Sequence, residues 1–212
     1  MSLLEANTTA DARLGMRQRA EHLRRLVAAA SGEVVQRVKS YMPAWVDPSV
    51  FVVAGDDAYP DSLGKLPDWV RAVTQRDMVL LFAERGPWLP GEVSRILCHE
   101  LFHAATWTFL AQQAALPWWF NEAAADWVST REFGVVARVD GVAQNAPSRR
   151  IQAGVIAEPS PLVRDFTAYL LGNFPPQAMQ RFLQTVKASG DFEQAAAQVF
   201  DLWRFEDQRS HG

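Results

Sequence analysis

The chain has 212 residues, 21 basic and 24 acidic side chains and a formal charge of -3, which suits one domain and leaves no charge excess to draw nucleic acid. Apolar residues make up 49% of it, with 8 Trp and 12 Phe, enough for a buried core and too many for a disordered chain. No run approaches the roughly 18 unbroken apolar residues of a membrane span, and the single Cys98 excludes an internal disulfide or a thiolate metal cluster.

The opening stretch lacks a basic segment followed by an apolar core of about 7 to 15 residues, so the chain reads as cytoplasmic, in agreement with its lone cysteine. From Ala12 to Met42, apolar residues at Leu14, Leu23, Leu26, Val27, Ala30, Val34, Val38 and Tyr41 predict an amphipathic helix, bent at Gly32 and ended by Pro43. Val50 to Val53 is a β-branched run between turn signals and predicts a strand. Tyr59 to Pro67 reads as loop, and Asp77 to Phe82 as a second, buried strand. A breaker-free helical pattern from Glu92 to Leu110 follows Pro90. Pro117 and Gly134 bracket another helix, Pro117 to Phe133. Asp140 to Pro161, rich in Gly, Pro, Gln and Ser, is the longest irregular stretch. Leu162 to Trp203 reads as two or three helices broken at Gly172, Pro175-Pro176 and Gly190-Asp191. The pattern predicts an α+β protein of one domain, 1–212, in three parts: an N-terminal helical segment (1–46), a small sheet with the central helix (47–116), and a mainly helical remainder (117–212). Scattered arginines, adjacent only at Arg24-Arg25 and Arg149-Arg150, form no basic stripe, so nucleic acid is not an expected partner, and the lack of a long apolar run leaves no membrane insertion expected.

The central helix contains His99-Glu100-Leu101-Phe102-His103, the pattern H-E-x-x-H. Residues four apart share a helical face roughly 6 Å apart, so both imidazoles can reach one ion while Glu100 projects toward a water on it. At this chain's composition the pattern arises by chance in roughly 4 of 1000 sequences. Its apolar neighbours Ile96, Leu97, Leu101, Phe102 and Trp107 make an unpaired polar pair costly there, which favours a metal over two idle histidines. Zinc suits imidazole, and a catalytic site needs a third protein ligand with one position left to water.

Downstream stands Trp118-Trp119-Phe120-Asn121-Glu122-Ala123-Ala124-Ala125-Asp126-Trp127. The two segments together resemble the gluzincin metallopeptidases, in which a second helix supplies a glutamate as third zinc ligand. The spacing between His103 and Glu122 is similar to that of the aminopeptidase N branch, and Asn121-Glu122 with Asp126 is similar to the N-E-x-x-x-D of thermolysin-type enzymes. Ala123 stands where the aminopeptidase branch has glycine, and no G-x-M-E-N-like segment precedes the zinc helix. The resemblance implies a zincin-like fold, with a small mixed sheet over the active-site helix. It also implies His99, His103 and Glu122 as ligands of Zn2+, and Asp126 orienting a zinc-bound histidine through its second ring nitrogen. In such an enzyme zinc lowers the pKa of its water toward about 7, and Glu100 takes the proton as that water attacks a peptide carbonyl. The aminopeptidase branch uses a downstream tyrosine to stabilise the oxyanion, and Tyr169 is the one tyrosine available there; a tyrosine in an apolar helical stripe is also a core residue, and the sequence leaves both readings open.

The expected function is therefore zinc-dependent hydrolysis of a peptide or protein substrate, the alternative being a non-catalytic zincin-fold binding or regulatory module. A structural zinc site needs a fourth protein ligand, and neither His22 nor His211 is well placed. Met78 to Phe82 is either a sheet edge that pairs with extended substrate or a plain core strand. Trp118-Trp119 either lines the cleft or packs, and Cys98, pointing to another side of the helix than His99, is expected to be buried and inert.

Overall fold

Ala20, Leu23, Val34 and Val38 fall on one face of a helical repeat. In the computed structural model, which describes residues 3–54, 66, 70–111, 116–134 and 161–211 and side chains from 15 to 206, they are buried positions of α1 (Leu3–Lys39). The helix passes through Gly32 without interruption. The expected loops over 59–67 and 140–161 lie, apart from Leu66 and Pro161, outside the described residues.

Three strands form the sheet: β1 (Ser49–Val53), β2 (Ala72–Gln75) and β3 (Met78–Phe82), in the order β1-β3-β2. Strand β1 runs parallel to β3, and β2 runs antiparallel to it, with Thr74 opposite Val79. The sequence predicted β1 and β3 but not β2, which is four residues long and joined to β3 by Arg76-Asp77, with Arg76 at φ 59°. Because β3 is paired on both sides, it is the central strand, and the edge role considered for Met78 to Phe82 is excluded. Val79 and Leu81 join the main core, whereas Leu80 and Phe82 pack with Val53, Leu66, Val70 and Val73 in a second cluster. Burial on both faces explains the unbroken apolar run of β3.

Helix α2 (Pro90–Leu110) packs against α1, β2 and α3 (Trp118–Phe133). Val93, Leu97, Leu101, Phe102, Ala104 and Ala105 are all buried, so the helix is apolar on most of its circumference. Pro90 occupies its first turn, and Glu92 is held by the Arg71 guanidinium, which lies 4.1 Å over the Trp88 ring. In α3, Ala123, Ala124 and Ala125 are fully buried, and these small side chains let the helix approach its neighbours α2 and α4 (Pro161–Asn173) closely. The other end of α3 is fastened to α1: the Tyr41 hydroxyl donates to Glu132 Oε1, and Arg37 donates to Glu132 Oε2 at 3.3 Å.

After α4 come α5 (Pro176–Ser189) and α6 (Phe192–Phe200), which with α4 make the three helices of the stretch expected to hold two or three, and then α7 (Leu202–His211), whose last eight residues lie beyond it; Gly172 falls inside α4 and breaks nothing. The unforeseen boundary is Asp201, which takes a left-handed φ of 50° without being glycine. Phe120, Phe166, Phe182 and Phe200 meet in one aromatic cluster that ties α3 to these helices. The architecture is thus mixed α+β, mostly helical with a small three-stranded sheet. No described helix is long and apolar enough to cross a membrane.

Candidate metal centre

One helical turn separates His99 from His103 on α2, and their Nε2 atoms stand 3.0 Å apart with ring planes at 82°. Two imidazole nitrogens this close repel through their lone pairs unless they share a proton or a cation. Helix α3 adds Glu122, whose Oε2 lies 3.6 Å from His99 Nε2 and whose Oε1 lies 3.5 Å from His103 Nε2. One ligand atom from each of the three residues falls within 4.8 Å of the others. Tetrahedral zinc with bonds of about 2.1 Å separates its ligands by about 3.4 Å, close to the 3.0 Å between the imidazoles and to the 3.6 and 3.5 Å by which each of them faces a different oxygen of Glu122. The donor set and its spacing therefore fit a single divalent cation. Imidazole and carboxylate together suit zinc, although imidazole also suits other transition metals.

Asp126, one turn beyond Glu122 on α3, accepts from His99 Nδ1 at 3.1 Å. That bond holds a proton on Nδ1 and turns Nε2 toward the cluster. Burial alone would depress the His99 imidazole, but hydrogen bonds to Asp126 and Glu122 and the fields of Asp126 and Glu100 outweigh it and hold its pKa well above the ordinary value. For Glu122 and Asp126, burial acts upward, and is overcome for Glu122 by the field of His103 and the bond to His99, for Asp126 by its bond to His99, so both carboxyls titrate below their ordinary range. Glu100 is 4% exposed. Its Oε2 lies 2.7 Å from the Thr74 hydroxyl on β2, which is also 2.9 Å from the Glu100 main-chain oxygen.

No family model, curated protein or solved structure matches the chain.

Four of the residues singled out in the sequence, His99, His103, Glu122 and Asp126, are brought together, with Glu100 adjacent on the same helix. Tyr169 is not drawn to them. It is buried in α4, and its hydroxyl donates to the main-chain oxygens of Phe200 at 3.0 Å and Asp201 at 3.3 Å. Stacked on Phe166 and packed on Phe174 and Phe205, it is a core residue with its one proton committed to the end of α6, so the oxyanion role considered for it is not kept. The other described tyrosine, Tyr41, is bound to Glu132. Cys98 is fully buried, and burial, aided by the field of Glu132, pushes its thiol pKa far up, which makes it inert. Trp119 packs on Phe120, Phe166 and Phe192, whereas Trp118 is 42% exposed. His22 faces the main-chain oxygen of Trp88 and not the cluster, and the side chain of His211 lies outside the described ones. The residue at the site that the sequence did not reveal is Thr74. Its only signal was a β-branched pair, Val73-Thr74, ahead of the β3 run.

Proposed function

We propose that the chain is a zinc-dependent metallopeptidase of the gluzincin type, with a zincin-like core, that hydrolyses peptide bonds. One observation carries the reading: two imidazoles from one helix and a carboxylate from the next converge at ligand spacing, with Asp126 behind His99. Zinc held there supplies a Lewis acid and a water of lowered pKa. The chain's own residues divide the remaining work. Asp126 keeps the His99 ring in the orientation and tautomer a ligand needs. Glu100, with Oε2 engaged by Thr74, offers Oε1 to accept a proton from water and to pass it to the departing amine nitrogen. The enclosure of Glu100 and the low exposure of both histidines, 15% and 11%, strengthen the electrostatic interactions among these groups.

The test is metal content together with cleavage of a broad peptide library, with and without a chelator. Stoichiometric zinc and chelator-sensitive products are expected; purified protein that takes up no zinc, or cleavage indifferent to chelation, removes the proposal.

A second reading, a zincin-fold module that binds without turnover, is favoured by one observation: the Tyr41 and Tyr169 hydroxyls are both engaged elsewhere, so no described tyrosine is free to stabilise an oxyanion. Metal uptake without any cleavage product selects it.

A further inference from the structure

Glu100 is an ionisable side chain in an enclosed position, and the donor the structure gives its carboxylate comes from outside its own helix. Thr74 Oγ1 sits 2.7 Å from Oε2 and 2.9 Å from the main-chain oxygen of the same residue. A hydroxyl has one proton and both of these oxygens are acceptors, so the proton lies between the two with the carboxylate oxygen the nearer, which ties the carboxylate beside the glutamate's own backbone. The position of that hydroxyl is set by the sheet and not by α2: Thr74 lies opposite Val79 on the central strand, and a β-branched side chain has few χ1 rotamers. A buried carboxylate left without a donor is costly and free to turn toward any polar neighbour. His99, His103 and Glu122 offer such neighbours within the same site.

We propose that Thr74 is the positioning residue of the general base: its hydroxyl holds the Glu100 carboxylate apart from the metal ligands, aimed at the water it deprotonates. The inference rests on the peptidase reading above and deepens it. Thr74 is not one of the three residues whose ligand atoms cluster. Its contribution is made through the orientation of Glu100, and belongs to turnover and not to metal uptake or substrate binding.

The experiment compares the zinc-loaded wild type with Thr74→Val and Thr74→Ser, measuring bound zinc, kcat and KM on a peptide taken from the library screen. Thr74→Val keeps the shape without the hydroxyl, and Thr74→Ala serves the same comparison if the valine variant does not fold. The expected result is unchanged zinc and KM, a kcat lower by about 10- to 100-fold, and recovery of most of it in Thr74→Ser. An undiminished kcat in Thr74→Val overturns the proposal, as does parallel loss of zinc, KM and kcat with no rescue by serine. A second readout needs neither metal nor substrate. In a double-mutant cycle of Thr74→Val with Glu100→Ala in metal-free protein, the unfolding equilibrium constants are expected to be non-additive by about fivefold. Coupling without hydrolysis in the wild type removes the peptidase reading and this role with it; hydrolysis without coupling removes the Thr74 role alone.

Discussion

Asp126 Oδ1 accepts the Nδ1 proton of His99 at 3.1 Å, so Nε2 is the ring nitrogen that faces Glu122 and His103. Carboxylates behind metal-bound histidines typically change metal affinity or activity by 10- to 100-fold. Asp126→Ala is expected to weaken zinc binding by about that factor without unfolding the protein, because the carboxylate is partly solvated. Competition with a chromophoric chelator measures it, and an unaltered affinity would leave Asp126 a surface acid.

Glu100→Gln removes the proton acceptor and keeps the shape. It is expected to retain stoichiometric zinc while kcat falls by about 100-fold or more. Metal analysis beside peptide assays checks both halves, and full turnover in this variant would transfer the base role to another group.

Tyr169→Phe deletes the hydroxyl bonded to Phe200 and Asp201. The expected cost is about 1 kcal/mol of folding stability, with kcat and KM unchanged. Urea denaturation and kinetics separate the two effects; a large loss of kcat at full stability would return the tyrosine to the reaction.

The dependence on pH follows from the signs of the shifts. In metal-free protein the raised His99 contributes stability in full below its unfolded pKa of about 6.5, and that contribution is lost as pH rises through the higher folded value. The lowered Glu122 and Asp126 contribute above their unfolded values of about 4 and lose their contribution as pH falls through the depressed ones. Metal-free protein is therefore expected to be most stable at mildly acid pH. Zinc requires neutral imidazoles, so the Tm gain from saturating zinc is expected to grow from about pH 5 to about pH 8. Melts with and without zinc across that interval check it, and a constant gain would mean that no histidine proton is displaced.

The parts of the site that lie within one helix were legible in the sequence, because a spacing of four places His99 over His103 and Glu122 over Asp126 whatever the rest of the chain does. Joining the two helices required the family resemblance, since nothing local in the sequence specifies how α2 and α3 pack. Thr74 was out of reach for the same reason: it lies 26 residues from Glu100, on a strand only four residues long. Strand order is likewise a long-range property, but the wholly apolar Met78–Phe82 already hinted at a central place for β3. For Tyr169 the flanking phenylalanines, Phe166 and Phe174, were the better guide than its position after the second motif.

The bond from Tyr41 to Glu132 has a consequence for how such a protein can be regulated. The first helix contributes Leu23, Val34 and Val38 to the interior and, through Arg37 and the tyrosine that follows it, steadies the far end of the helix bearing Glu122. Its described side chains are a structural wall, not a detachable plug, so cutting it away would collapse the fold around the cluster instead of uncovering it. Limited digestion that severs the chain after α1 is expected to abolish cooperative melting.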